Sequence, residues 1–364
     1  MVFTYREAYE LEETVKPFLR EVATEIDEFA HKHNFFEPTE EIIKKLDTEL
    51  FEISEERFKG GKKARPALIF ATAKAVCQMK DIPFEEVKQK LLPYAARREL
   101  KHNGYLEIDD VQDSSPLRRG VPSTWTRIGK ERAINTGLLL SDALARKAES
   151  LSYLEPYKLE PEVRNVVTEI DALIAIETVE GQDLDIKYRS SPELTPQISE
   201  LIYQKKTGVY TIGGPMAIGA AIAGFERELC MKLYHLGKIF FGPAFQVIDD
   251  YLNLILPEEV PKYGKEWADD LEEGKPTMIV ALFNERATEE DREEFHKYYG
   301  KGGLTKEEKM KLIDLLDKYN AREDARKYAY QKLEEGLSHL EKIIPREYGE
   351  ELYALLEFTV KRTY

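Results

Sequence analysis

The chain predicts an all-α fold, and three observations carry that expectation. Apolar residues recur at three- and four-residue spacings over most of the length, the alternation of a half-buried strand is scarce, and the links between periodic stretches are short and contain Pro or Gly. At 364 residues the chain can bury a large core. No low-complexity linker and no repeat of fixed period divides it, so one domain over residues 1–364 is expected.

Taken in order, Glu7–His31 carries Tyr9, Leu11, Val15, Phe18, Leu19, Val22, Ile26 and Phe29 on one helical stripe. A second helix is expected over Pro38–Glu52, and Gly60–Gly61 interrupts before a third at Pro66–Gln78. Phe84–Arg98 leads through Pro93 into an acidic helix. Ala133–Leu151, Val163–Glu180, Ile198–Tyr210 and Glu226–Phe241 repeat the period, as do Lys306–Tyr319, Ala321–Ile344 and Glu350–Arg362. The links fall at Pro116–Pro122, Ser191–Pro196, Pro257–Lys265 and Gly300–Gly303. Thr211–Gly224, rich in Gly and Ala, suits tight helix packing or the wall of a narrow apolar tunnel.

Composition narrows the function. Lys+Arg 53 against Asp+Glu 68 gives a net charge of −15, which argues against a nucleic-acid partner. Cys77 and Cys230 lack metal-ligand spacing and read as buried thiols of a reducing compartment. Met1–Glu10 is polar and charged, unlike a signal peptide, and no apolar run is long enough to span a bilayer, so a cytoplasmic location is expected.

The stretch Leu106–Trp125, LEIDDVQDSSPLRRGVPSTW, holds the densest chemistry. Asp109, Asp110 and Asp113 lie at i, i+1 and i+4, on one side of a helix. Carboxylates that close repel unless a cation neutralises them, and all-oxygen ligands suit Mg²⁺ bridged to phosphates. Arg118 and Arg119 follow, the side chains best matched to diphosphate oxygens. A second cluster, FQVIDDYLNL at Phe245–Leu254, pairs Asp249 with Asp250 inside an apolar run, where unpaired charge is costly; Asn253 takes the place of a third acid. Around Lys62, Arg65, Arg118 and Arg119 the acidic chain holds a local positive patch for an anionic substrate, although Lys62 with Lys63 also reads as a solvated loop. No Walker-type loop or GxGxxG fingerprint competes.

These motifs resemble those of the trans-isoprenyl diphosphate synthases, from about Phe58 to Arg362. The first cluster is similar to their DDxxD…RRGxP motif and the second to FQxxDDxxD. GGKKARP at Gly60–Pro66, ELKHNGYLEIDD at Glu99–Asp110, EGQDLDI at Glu180–Ile186, KTGVY at Lys206–Tyr210 and DDLEEGKPT at Asp269–Thr277 resemble further family segments in the same order. The resemblance implies a helical bundle around a central cavity. It also implies Mg²⁺-dependent, head-to-tail condensation of isopentenyl diphosphate with an allylic diphosphate, through an allylic carbocation. Asp109, Asp110, Asp113 and Asp249 with Asp250 would hold Mg²⁺, and Arg118, Lys206 and Lys265 would grip the allylic diphosphate. Gly61, Lys62, Arg65, His102 and Arg119 match isopentenyl diphosphate positions, and Thr207 and Gln246 match positions near the reacting carbons.

His102, seven residues before Asp109, shares its helix face. The resemblance places chain-length control four and five residues before Asp109, at Tyr105 and Gly104. Bulk at Tyr105 argues for a product of fifteen or twenty carbons, and space beside Gly104 for the longer. Lys101, a turn deeper, would be costly against a long hydrocarbon. Geranylgeranyl diphosphate is the expected product, with farnesyl diphosphate as the shorter alternative. Glu107, Ile108, Asn253 and Trp125 depart from the family pattern, which keeps a non-catalytic partner subunit in view. A class I terpene cyclase is disfavoured by Lys62, Arg65 and Arg119. A homodimer is implied by resemblance alone.

Overall fold

The computed structural model describes residues 5–41, 44, 48–61, 63–118, 120–256 and 267–362. Lys62, Arg119 and Lys265 lie outside them. Almost every element is helical. Helix α1 is Tyr5–Lys32, α2 Glu49–Lys59, α3 Ala64–Met79 and α4 Phe84–Asp113. Two-residue strands β1 (Leu117–Arg118) and β2 (Val121–Pro122) then pair antiparallel, Leu117 against Pro122 and Arg118 against Val121. The tight turn between them needs a positive φ, which Gly120 supplies at +76°.

Short α5 (Thr124–Ile128) leads to α6 over residues 130–150, α7 (Pro161–Lys187), α8 over 196–222 and α9 over 227–253. Helices α10 (Asp269–Glu273), α11 (Met278–Arg286), α12 (Glu289–His296), α13 (Lys306–Lys318), α14 (Ala321–Glu341) and α15 (Glu350–Lys361) complete the chain. Within the expected helix over Pro38–Glu52, residues 41 and 44 are helical, Thr48 is the N-cap of α2 and α2 runs on to Lys59, so Gly60–Gly61 ends that helix. Residues 42–43 and 45–47 of that expectation are outside the described ones.

Three long helices carry π-wound stretches, at Leu139–Leu144 in α6, Tyr203–Gly213 in α8 and Gly237–Phe241 in α9. The last two run directly into Gly214–Pro215 and Gly242–Pro243. Proline offers no N–H to the preceding turn and its ring crowds that turn's carbonyl, so a widened turn upstream relieves both problems. Glycines hold the two π segments together, since a Cβ on Gly237 would lie 2.2 Å from the Gly213 Cα. The core is one contiguous apolar cluster reaching from Val15 to Val360. Thr211–Ala223 is buried throughout, with Gly219 against the Ile69 carbonyl, so this stretch packs tightly on α3. No helix among the described residues is long and apolar enough to cross a membrane.

Candidate active site

The upper end of α4 delivers Asp109, Asp110 and Asp113, but not in one direction. Asp109 accepts from Gln182 of α7 at 3.0 Å and lies 3.6 Å from Lys206 of α8. Asp113, a turn on, meets Arg189 and the Lys275 ammonium, the latter at 2.5 Å. Asp110, only 1% exposed, turns back to the hairpin, where Arg118 Nε donates to it at 2.8 Å. Successive residues of a helix point about 100° apart, so this divergence follows from the DD pair itself.

Asp185 of α7 joins the group through Lys206 at 3.2 Å and Lys275 at 3.7 Å. Gly181 allows the approach, because a Cβ there would stand 2.2 Å from the Lys206 nitrogen. EGQDLDI thereby places both Gln182 and Asp185 beside the first aspartates.

The second cluster is built differently from expectation. Asp250 is buried, bonded by the Tyr203 hydroxyl and by Gln246 Nε2 at 2.9 Å; Gln246 Oε1 accepts from Thr207 at 2.8 Å. Asp249 pairs with Arg362 of the C-terminal segment at 2.9 Å. Asn253, in the place of a third acid, is held by structural contacts. Fully buried, it donates to Asp269 and accepts from the Asp270 N–H at 3.3 Å, clipping α10 to α9. An aspartate there would set a like charge against Asp269, so the amide suits this contact. Lys275 links the two clusters, since it pairs with Asp113 and lines a small cavity with Asp250 and Asp270.

Charge is unbalanced here. Among the described residues, seven carboxylates (Asp109, Asp110, Asp113, Asp185, Asp250, Asp270, Glu273) surround four cations (Arg118, Arg189, Lys206, Lys275). Burial pushes the Asp113 carboxyl up and Asp109 adds to that; burial also outweighs Arg118 at Asp110. Asp109 is held below its ordinary value because Lys206, Lys275 and Arg118 overcome its burial. Oδ2 of Asp110 is buried without a hydrogen-bond partner among the described residues. No three Asp, Glu, His or Cys side chains there converge as a finished metal site. The surplus of carboxylate oxygen nevertheless fits a divalent cation, which would relieve the repulsion and occupy the orphaned oxygen.

Of the expected isopentenyl diphosphate positions, Lys62 and Arg119 lie outside the described residues, while Arg65 and His102 meet at one ring. Arg65 donates to Tyr210 Oη at 3.0 Å and to Thr211 Oγ1 at 2.9 Å, stacked over the Tyr210 ring, and His102 lies 5.9 Å from the same ring. Gly61 is exposed, with φ at +89°. Lys63 is no solvated loop residue: it is 2% exposed, its ammonium bonded to the Phe58 carbonyl, to the Gly60 carbonyl at 3.2 Å and to Glu99. Three departures also find structural partners. Glu107 pairs with buried Arg57 at 3.0 Å, and Arg57 also bonds Pro122 and Thr124, tying the hairpin to α4. Ile108 packs on Gly137, and Trp125 Nε1 donates to the Ser115 carbonyl at 2.8 Å. The space expected beside Gly104 is filled, because its Cβ position lies 2.6 Å from the Gly137 carbonyl oxygen and from the Ser141 Cβ. Tyr105 meets Tyr210 edge-on at 6.0 Å.

Gln182, Asp185, Arg189, Tyr203, Lys275 and Arg362 were missed by residue-level reasoning. Gln182, Asp185 and Lys275 do stand inside EGQDLDI and DDLEEGKPT, which were available signals; Arg189, Tyr203 and Arg362 lie in no quoted motif.

Comparison with known proteins gives the family and the fold. The polyprenyl synthetase profile matches residues 47–316. The chain is 32% identical over 310 residues to a geranylgeranyl diphosphate synthase of Methanosarcina mazei, covering 84% of this chain and 87% of that one. It is 30% identical over 309 residues to a short chain isoprenyl diphosphate synthase of Methanothermobacter thermautotrophicus, again covering 84% and 87%. The crystal structure of a geranylgeranyl pyrophosphate synthetase from Pyrococcus horikoshii superposes with a TM-score of 0.80 at 29% identity, covering 98% and 99%. One from Corynebacterium glutamicum, complexed with isoprenyl diphosphate and magnesium, gives 0.79 at 25% identity, covering 96% and 99%. The profile match across most of the chain, on an all-helical fold, makes this protein a prenyltransferase that belongs to the polyprenyl synthetase family.

Proposed function

We propose that this chain condenses isopentenyl diphosphate head to tail with an allylic diphosphate, in the presence of Mg²⁺, and releases geranylgeranyl diphosphate. The observation that carries the reading is the meeting of Asp109, Asp113 and Asp185 with Lys206, Lys275 and Arg189 where α4, α7 and α8 converge. Asp109, Asp110 and Asp113, with Asp185, Asp249 and Asp250, would hold the ions, whose chemistry when bound is neutralisation of the departing diphosphate. Arg118, Lys206 and Lys275 aim fixed cations at oxygens on which charge develops as the allylic C–O bond breaks. Lys265 is assigned to the same grip by family resemblance.

Arg65 and His102, with Gly61, Lys62 and Arg119, would seat isopentenyl diphosphate. Thr207 and Gln246, already hydrogen-bonded together, present oxygen dipoles to the cationic carbons. The name of the Methanosarcina mazei relative supports the twenty-carbon product, and the bulk of Tyr105 is compatible with it. Glu107, Ile108 and Asn253 have structural partners, which weakens the case for a non-catalytic subunit. We further propose a single helical domain that pairs as a homodimer. Ile176, Val179 and Ile186 form an apolar stripe on α7, 58%, 64% and 41% exposed, with Ile134 and Leu138 exposed on α6.

The test is incorporation of radiolabelled isopentenyl diphosphate with Mg²⁺ and dimethylallyl, geranyl or farnesyl diphosphate. Extractable label that disappears with EDTA is expected. Well-folded protein that incorporates none with any primer would overturn the reading in favour of a partner subunit, and release of hydrocarbon from the primer alone would point to a cyclase.

A further inference from the structure

One buried guanidinium joins three elements beside the expected isopentenyl diphosphate positions. Arg57, on the last turn of α2 and 6% exposed, reaches Glu107 of α4 at 3.0 Å through Nε. The same Nε donates to Thr124 Oγ1 at 3.2 Å, and Nη2 donates to the Pro122 carbonyl at 3.0 Å, where β2 runs into α5. Glu107 and Thr124 are both buried. Two turns down α4, a second buried pair repeats the arrangement. Glu99 receives Lys63 at 3.5 Å and Asn103 at 3.2 Å, and the Lys63 ammonium also holds the Phe58 carbonyl and, at 3.2 Å, the Gly60 carbonyl. Glu99, Asn103 and Glu107 stand at steps of four, along one ridge of α4. Gly60 and Gly61 are thereby flanked by two buried cations, each anchored on that ridge.

We propose that Arg57 is a positioning residue for isopentenyl diphosphate, holding the end of α2 and the hairpin in one fixed relation to α4 through Glu107, Pro122 and Thr124; the proposal rests on the prenyltransferase reading above. Strands of two residues cannot fix a hairpin by themselves. Its other ties run to its own base, through Ser123 and Trp125 to the Ser115 carbonyl, or through Arg118 to Asp110. Pro122 offers the ladder no N–H, and its carbonyl is taken by Arg57. An ion pair this buried gains little stability over an apolar pair of the same volume. Glu107 Oε2 even lies buried without a hydrogen-bond partner among the described residues, a cost an apolar pair would not carry. What an apolar pair lacks is direction, since only a guanidinium can bond a carboxylate, a hydroxyl and a carbonyl at once from one plane. Arg118 keeps its own bond to Asp110 without Arg57, so the loss should fall on isopentenyl diphosphate and spare the allylic substrate.

The variant Arg57→Met/Glu107→Leu separates geometry from stability. With labelled isopentenyl diphosphate and farnesyl diphosphate, the KM for isopentenyl diphosphate should rise about tenfold or more, while kcat and the KM for farnesyl diphosphate stay within about threefold. Arg57→Lys keeps a cation for Glu107 but loses the fork, and should raise the same KM by about three- to tenfold. A wild-type KM for isopentenyl diphosphate in the folded double variant, or an equal rise in both KM values, overturns the proposal. If the double variant does not fold, Arg57→Lys and Thr124→Val decide, and a wild-type KM in both overturns it.

A second measurement keeps the two readings apart: calorimetric titration of isopentenyl diphosphate into wild type and into Arg57→Lys. The variant should bind about threefold or more weakly, and equal Kd values overturn the positioning role. Wild type that binds isopentenyl diphosphate but incorporates none counts against the prenyltransferase reading, with the comparison of Kd values still deciding for or against Arg57. Wild type that binds none overturns both.

Discussion

Replacing Lys101 with Met should stabilise the protein at neutral pH. Burial lowers the Lys101 ammonium from 10.5 to about 8, Arg98 pushes the same way, and Asp171 only partly opposes them. In the unfolded chain the group titrates near its ordinary value, so between about pH 8 and 10.5 the unfolded state binds more protons and stability rises with pH. Below pH 8 both states are protonated and the folded state bears the full cost. At 1.36 kcal/mol per pH unit that cost is about 3 kcal/mol. Methionine keeps the aliphatic stem and removes the charge, while Asp171 retains Arg97 and Arg98. The attraction to Asp171 is already inside that figure; the amine's lost hydrogen bond leaves about 1–3 kcal/mol. With unfolding entropy near 2.1 cal/mol/K per residue, the whole chain carries about 0.8 kcal/mol/K, so Tm should rise by about 1–4 °C at pH 7. Thermal melts of wild type and variant at pH 7, 9 and 10.5 test this, and the gap should close at the highest pH. A variant less stable at pH 7 by the same margin as at pH 10.5 would show that the Asp171 pair outweighs burial, and refute the reasoning.

Other substitutions read out the rest of the structure. Glu107→Ala leaves the Arg57 guanidinium buried without its carboxylate and should cost about 3–5 kcal/mol in urea unfolding, whereas Arg57→Met/Glu107→Leu should recover most of it. Lys275→Met should lower kcat/KM by about 10²-fold in steady-state condensation assays, and should also lower Tm because Asp113 and Asp185 lose their shared cation. Val179→Asp places a charge on the apolar stripe of α7, and sedimentation should show a shift from dimer to monomer. Burial pushes the Cys77 thiol up to about 11 and Cys230 up to about 12, so neither should react with a thiol reagent at pH 8 until the protein is unfolded, followed by absorbance.

By itself, the sequence determined the all-helical architecture, the helices bearing both aspartate pairs, and the family. Each of these is encoded locally, in a 3.6-residue apolar period or in a contiguous motif. The Gly-Pro steps at Gly214–Pro215 and Gly242–Pro243 even marked where two helices widen, although that signal went unread. Tertiary structure alone decided where each side chain found its partner. Spacing put Asp109, Asp110 and Asp113 on one side of a helix, yet the hairpin drew Asp110 away while α7 and α8 claimed Asp109. Gly104 looked roomy because a missing side chain leaves space only when no helix fills it, and α6 does. Asn253 took the place of a third acid, and its partner, Asp269, came from α10. Lys101 looked like a lone misplaced charge, but Asp171, seventy residues on, gathers it with Arg97 and Arg98 into one layer. A helix period specifies which residues share a face, and the energy of a buried charge depends on what stands opposite that face, which only the packing of distant segments supplies.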